Sequence, residues 1–344
     1  RLLHKLVPQL SAPFQRAGLE LNRRIYGVTE LTGRETQCVQ ATTHGLPWLS
    51  DPLYVATYLP SFADERGLRL LRAVRGQFVA HMAEVGWLDD ATRARAVAKA
   101  ERMEINLGSQ PLEDYLAFTY PVSPTDHFAN SQYSYQTRLL KLLHYVDTPI
   151  DRRKWGLLAS TVNAEYDNGV NGIFVPAAMM QAPFFNASFR AAQNFGGIGA
   201  VVGHEMTHGF DSTGREFDED REMRDWWDPD VVDRFKTKAT CVSRLYGGFS
   251  EGGATLDGNR TLAENIADFG GARIAYDAFT RAHREKSGAE PPEDEQRLYF
   301  VSFAQMWCSK VRPSAGALHV RSDRHSPGLF RANGVVSQNP DFAQ

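Results

Sequence analysis

The chain contains no run of about 18 apolar residues, so no segment of it reads as a transmembrane helix. It has no excess of basic residues either. Lysines and arginines number 38 against 41 aspartates and glutamates, a formal net charge of −3. Without a basic face there is no electrostatic footprint for a phosphate backbone, and nucleic acid is not expected as a partner. Cysteine is scarce: Cys38, Cys241 and Cys308 stand far apart. An odd number cannot all pair within the chain, and composition alone reads them as reduced, partly buried thiols. The opening "RLLHKLVPQL" has no Met, no apolar core and no small-residue cleavage site, so it is not expected to be a signal peptide. A beginning without Met reads as that of a fragment or processed chain. Internal repeats and low-complexity tracts are also missing. What is present is ordinary for a globular protein: 344 residues, 42% hydrophobic and 23% charged. That is enough for a sizeable core in one large domain or two medium ones.

The first half reads as helical. Residues 64–88 place Leu68, Leu71, Val74, Phe78 and Met82 on one stripe, with Asp64 and Glu65 at the N-terminal end. A second helix is expected over 89–108, capped by Asp and stopped by Gly108. Residues 109–150, interrupted by Pro111, Pro121, Pro124 and Pro149, read as a connector. After Thr161 the pattern changes. "STVNAEYD" and "NGIFVPAAMM" predict two short strands around a hairpin turn, and "FGGIGAVVGHEMTHGF" predicts a buried helix packed closely on its neighbours.

That helix carries the chemistry. His204 and His208 are four apart and share a helical face, so two imidazole nitrogens can reach one ion. Glu205 points beside that ion, where it can take a proton from water. A catalytic zinc needs a third protein ligand. No third histidine follows at the H-E-x-x-H-x-x-G-x-x-H spacing, since the count from His208 reaches only Gly209, Phe210, Asp211 and Gly214. "TLAENIADFGGARIAYDAF" (261–279) offers an alternative, with Glu264 as ligand and Asp268, one turn on, bonded to the far nitrogen of His204. Read alone, Glu264 is equally explained as a first-turn glutamate favouring the helix dipole. The sequons at Asn186 and Asn259 point weakly to secretion.

Taken together, these motifs resemble the neprilysin family, zinc endopeptidases that include the endothelin-converting enzymes. The resemblance rests on "VNAEYDNGVNGIFVPAAMMQAPFF", "GGIGAVVGHEMTHGFDSTG", "TLAENIADFGG", "FAQMWCSKVRP" and "HSPGLFRANG". It spans at least residues 161–340 and is weaker in "NRRIYGVTE" and "AEVGWLDDATRARAVAKAERM". It implies one zinc held by His204, His208 and Glu264, with Glu205 as general base and Asp268 orienting His204. His325 would stabilise the oxyanion and Arg331 would bind the substrate carbonyl beyond the scissile bond. Asn163 and Ala164 would hold substrate backbone as a strand does, and Phe184, Val201 and Trp307 would line a pocket for an apolar side chain. The expected fold is mainly α (α+β): a thermolysin-like catalytic lobe with a small sheet over 151–344, preceded by a helical segment over 1–150.

Two positions depart from the family pattern. Glu165 stands where an apolar or aromatic residue is usual, and Phe269 replaces the usual Asn after Asp268. The resemblance covers roughly the C-terminal half of such an enzyme. It implies that the three cysteines pair with partners outside this chain, in an extracellular or cell-surface protein whose membrane anchor would belong to a missing N-terminal region. The expected activity is a zinc endopeptidase that cuts oligopeptides before apolar residues. Two alternatives stay open: a catalytically silent relative that binds peptides or another protein, and a zinc hydrolase with a non-peptide substrate.

Overall fold

The computed structural model describes residues 7–59, 61–146, 148–153 and 156–342. The opening residues 1–6, part of the segment not expected to be a leader, lie outside the described residues, as does the Asp64 side chain.

Four helices come first: α1 (Ala12–Tyr26), α2 (Arg34–Gly45), α3 (Pro47–Tyr58) and α4 (Ser61–Glu84). Helix α4 buries Leu71, Val74, Phe78 and Met82 as the expected stripe, with Leu68 half-buried at its edge. Helix α5 (Asp90–Glu101) starts on Asp89, whose carboxylate accepts the Thr92 N–H and hydroxyl, both at 2.8 Å. Such a cap contributes about 1 kcal/mol.

The helix expected to reach residue 108 ends at Glu101, and Glu104–Gly108 form strand β1 instead. The apolar period changes there from helical to alternating, through Met103, Ile105 and Leu107. The decisive contact is distant: β1 runs parallel to β3 (Gly172–Pro176), with Ile105 opposite Ile173. The connector is also more regular than expected. After α6 (Leu112–Leu116) it holds α7 (His127–His144), capped by Asp126 through the Ala129 N–H at 2.9 Å. No residue of α7 is buried, and its apolar side chains, Phe128, Tyr135 and Leu139 among them, are exposed.

β2 (Glu165–Asp167) pairs with β3 as the expected antiparallel hairpin, turned through Asn171 at φ 48°. The sheet order is β1-β3-β2, which leaves the outer edge of β2 unpaired, while β3 is buried along its length. Helix α8 (Ala191–Asn194) continues through a π turn at Phe195–Gly199 into α9 (Ala200–His208). Then come α10 (Pro229–Gly247), the ribbon β4 (Ser250–Glu251) and β5 (Ala254–Thr255), α11 (Leu262–Ser287), α12 (Glu293–Gln305), α13 (Pro313–Ser322) and α14 (Gly328–Val336). The architecture is mainly helical with a small sheet beside α9, as expected.

One large apolar cluster joins α4, α5, β3, α9, α11 and α12. Within it α9 and α11 meet backbone to backbone. A Cβ on Gly203 would stand 2.9 Å from the Gly271 Cα, and one on Gly271 would stand 2.5 Å from the Ala200 carbonyl oxygen. Only glycine permits so close a crossing. It brings the first turn of α11 against the last turn of α9. No helix among the described residues is long and apolar enough to cross a membrane.

Candidate metal centre

The crossing sets three donor atoms in a triangle. His204 Nε2 and His208 Nε2 are 3.0 Å apart, and Glu264 Oε2 lies 3.4 Å from the first and 3.5 Å from the second. A tetrahedral zinc with bonds of about 2.0–2.2 Å needs donor–donor edges of about 3.3–3.6 Å. Glu264 Oε2 is buried without a hydrogen-bond donor, an orphaned acceptor that a cation would satisfy. The two imidazole nitrogens lie at a distance that a shared proton or a cation bound by both would satisfy. The donor set, the two edges to Glu264 and the orphaned oxygen fit zinc, while the 3.0 Å edge between the histidines is shorter than a tetrahedral one.

Behind each histidine stands a carboxylate. His204 Nδ1 lies 2.8 Å from Asp268 Oδ1, and His208 Nδ1 lies 2.7 Å from Asp211 Oδ2. A proton on each Nδ1 leaves both Nε2 lone pairs facing the triangle. Burial works to lower the histidine pKa values, but the carboxylates outweigh it: both are raised, His208 well above its ordinary value. Burial likewise opposes the charged form of Glu264, yet the two histidines hold its carboxyl far below the usual range.

Asp268 is itself gripped. Arg331 donates to it from Nε and Nη2, both at 2.7 Å, and its guanidinium lies over the Trp307 ring at 3.9 Å. Burial would raise the Asp268 pKa, but Arg331 and His204 hold it below its ordinary value. Phe269 turns away toward Tyr246, 6.3 Å between ring centres, so the departure noted there leaves both partners of Asp268 in place.

Glu205 is buried beside the triangle. His325 Nε2 approaches Glu264 Oε1 at 3.4 Å, while its Nδ1 lies 2.7 Å from Asp323 Oδ1. Asn163 is exposed and Ala164 buried, immediately before β2 and its open edge. Val201 is inside the main cluster, and Phe184 and Trp307 are half-buried against it. Beside β2 opens a cavity of about 600 Å³, lined by Trp48, Tyr120, Arg138, Leu157 and Glu165 among others. Burial, followed by repulsion from Asp167 and Glu205, raises the Glu165 pKa.

Sequence reasoning missed Asp211 and Asp323. Asp211 stands three residues after His208, on the same side of the chain end, but that stretch was searched only for a third histidine. Asp323 stands two residues before His325, where a short carboxylate can reach the ring. The cysteines, expected to be partly buried, are free and exposed at all three positions, and no disulfide occurs among the described residues.

The chain matches Peptidase family M13 over residues 163–344 and again over residues 1–111. It is 32% identical to Neprilysin-3 of Drosophila melanogaster over 97% of this chain and 44% of that protein. It is 32% identical to human Neprilysin over 100% of this chain and 48% of that protein. A crystal structure of a Mycobacterium tuberculosis zinc metalloprotease in complex with an inhibitor superposes with a TM-score of 0.89 at 29% identity. That superposition covers 100% of this chain and 53% of the other. The chain thus spans about half the length of the curated relatives it matches. On the extent of these matches, the chain belongs to peptidase family M13.

Proposed function

We propose that this chain carries the catalytic centre of a zinc metallopeptidase that hydrolyses oligopeptides on the amino side of apolar residues. The observation that carries the reading is the His204–His208–Glu264 triangle with a carboxylate behind each histidine. Those three side chains would hold one zinc per chain. When bound, zinc polarises a carbonyl and lets water act as a nucleophile near neutral pH.

The chain's own residues would do the rest. Glu205 takes a proton from the attacking water and delivers it to the leaving amine. His325, as an imidazolium with its Nδ1–H held by Asp323, would donate its Nε2–H to the scissile oxygen as charge develops. Asp268 and Asp211 keep the ligand histidines in one tautomer. Arg331, with Nε and Nη2 engaged by Asp268, offers Nη1 to the next substrate carbonyl. Asn163 and Ala164 bind substrate backbone beside the open edge of β2, a mode that the unpaired strand supports. Phe184, Val201 and Trp307 line the apolar pocket. The stack of Arg331 on Trp307 supports this, because it sets a carbonyl donor beside an apolar wall.

We assign residues 151–344 to the catalytic unit and 1–150 to the end of a preceding helical region. The restriction to oligopeptides would come from a covering lobe outside this chain, and a membrane anchor would lie there too. An extracellular or cell-surface location, with the cysteines in disulfides to partners outside this chain, is supported by exposed Asn186 and Asn259 and by three exposed thiols.

The test is cleavage of a mixed oligopeptide library by the intact protein, read by mass spectrometry. Cuts before apolar residues are expected, abolished by chelation. Glu205→Gln should lower kcat by about 10²–10⁴-fold with zinc content unchanged. Zinc bound with no cuts would overturn the catalytic reading in favour of a silent peptide-binding relative.

A further inference from the structure

Lys99 is the most unusual buried cation in the described structure. It sits on α5, in the part of the chain matched separately from the metal helices, and its exposure is 0%. Its Nζ donates to the carbonyl oxygens of Gly209 at 2.6 Å, Gly214 at 2.8 Å and Phe217 at 2.7 Å. It also lies 5.2 Å from the centre of the Phe210 ring. Burial alone would drive the amine toward neutrality and pulls its pKa down to about 7. Three carbonyl acceptors, however, require three N–H groups, and a neutral amine has only two. The geometry is that of the ammonium ion, fully bonded.

The three carbonyls belong to one loop, the one that leaves the metal helix. Gly209 caps the C-terminus of α9, directly after His208. Between Gly209 and Gly214 sits Asp211. Its Oδ1 accepts the N–H groups of Thr213 and Gly214, both at 2.7 Å, and its Oδ2 meets His208. Lys99 therefore pins the chain on both sides of Asp211. The same residue reaches the substrate strand through its backbone. Asn171 Nδ2 donates to the Lys99 carbonyl at 3.0 Å, and the Tyr166 hydroxyl of β2 donates to Asn171 Oδ1 at 2.9 Å. One residue thus ties together the end of the metal helix and the loop holding the carboxylate behind His208, through its side chain, and the hairpin that presents the open strand edge, through its backbone carbonyl.

We propose that Lys99 is a positioning residue for the metal centre: it fixes the Gly209–Phe217 loop so that Asp211 holds His208 in its ligating tautomer. This rests on the metal-site reading above. A buried ammonium is costly unless all its protons are used, and removing it would take away the donor to the Gly209 and Phe217 carbonyls, while Gly214 would keep only the Phe217 N–H at 3.1 Å. The loop would then relax to find water, and Asp211 would move with it.

The test is zinc affinity of the intact protein, by competition against a chromophoric chelator, together with the Tm of the metal-free form. Lys99→Met should raise the zinc Kd by about 10–100-fold, the range for loss of a partner behind a ligand. Combined with Asp211→Asn, it should add little further, because both changes act on the same contact. Arg95→Met is the control. Arg95 is also on α5 and binds Glu219 and Asp218, just past the loop. It should lower the Tm and leave the zinc Kd within about threefold of wild type, because although it shares the Trp226 ring with Lys99, its hydrogen bonds go to Glu219 and Asp218 and not to the Gly209–Phe217 carbonyls. If Lys99→Met does not fold, Lys99→Gln, which keeps a donor, carries the same comparison. A zinc Kd unchanged in the Lys99 variants, or shifted only as far as in Arg95→Met, would overturn the proposal. A wild-type protein that binds no zinc would instead overturn the metal-site reading itself.

Discussion

Gly271→Ala adds one methyl group where α11 crosses α9. The new Cβ would stand 2.5 Å from the Ala200 carbonyl oxygen and 2.6 Å from the His204 nitrogen, against an ordinary contact of 3.4 Å or more. The shortfall is about 0.9 Å, and both opposing atoms are backbone, so no side-chain rotation can relieve it. The helices must separate. Glu264 is two turns earlier on α11, and a displacement near that size would stretch its 3.4 and 3.5 Å edges to the histidines well past the tolerance of about 0.2 Å on a metal bond. Overpacking costs about 1–3 kcal/mol, while alanine in place of glycine returns up to about 1 kcal/mol of helix propensity. With the full propensity gain returned, the net loss is about 0–2 kcal/mol, a fall in Tm of at most about 8 °C on the scale of a 150–250-residue domain. Zinc affinity should fall at least tenfold, or about 1.4 kcal/mol. Gly76 on α4 is the control: it is exposed, and nothing lies within 4 Å of its Cβ position. Gly76→Ala should raise the Tm slightly and leave zinc binding alone. Thermal melts with and without zinc, and a chelator titration, read both quantities. If Gly271→Ala keeps the wild-type zinc Kd, the close crossing does not set the ligand geometry.

Asp211→Asn and Asp268→Asn should each weaken zinc binding by about 10–100-fold without removing a ligand, and a chelator titration showing either at wild-type affinity would deny that carboxylate its orienting role. Zinc affinity should fall with acidity. Burial lowers the His204 and His208 pKa values, but their carboxylates raise them by more, so protons compete with metal from above the ordinary histidine value of about 6.5. An affinity flat from about pH 8 down to about pH 6 would contradict this. In the metal-free protein the sign reverses. Groups raised above their unfolded values contribute stability that is full below about pH 6.5 and lost as pH climbs through the folded values. The Tm without zinc should therefore decline as pH rises through that window, and a rising Tm would refute it.

The His204–His208–Glu264 cluster was legible because helical spacing is local. His204 and His208 are set four apart by α9 itself, and Glu264 and Asp268 by α11, whatever the two helices do in space. Strand β1 was not legible, because its conformation is decided by pairing with β3, more than sixty residues on. Propensity within 89–108 favours helix, and tertiary pairing overrides it. Helix α7 failed for the opposite reason. Its apolar residues Phe128, Tyr135, Leu139 and Leu142 recur at helical steps but stay exposed, and Pro124 and Pro149 on either side favour a connector reading of the stretch.

Between these cases lies the information that builds the centre. The sequence shows that Gly203 and Gly271 are small, but small residues have many uses, and neither names the other as its partner. Lys99 shows the same limit more sharply. In "ARAVAKAERM" it looks like one more charge on a solvated helix face, yet it is among the largest fully buried side chains in the described structure. Nothing in its own neighbourhood distinguishes it from Arg93 or Arg102. What distinguishes it is a loop 110 to 118 residues away that turns the carbonyls of Gly209, Gly214 and Phe217 toward it. The residues expected to touch zinc follow from a local repeat, whereas the residues that hold them there follow from contacts made across the whole chain. A metal centre can therefore be recognised from sequence well before its rigidity can be explained.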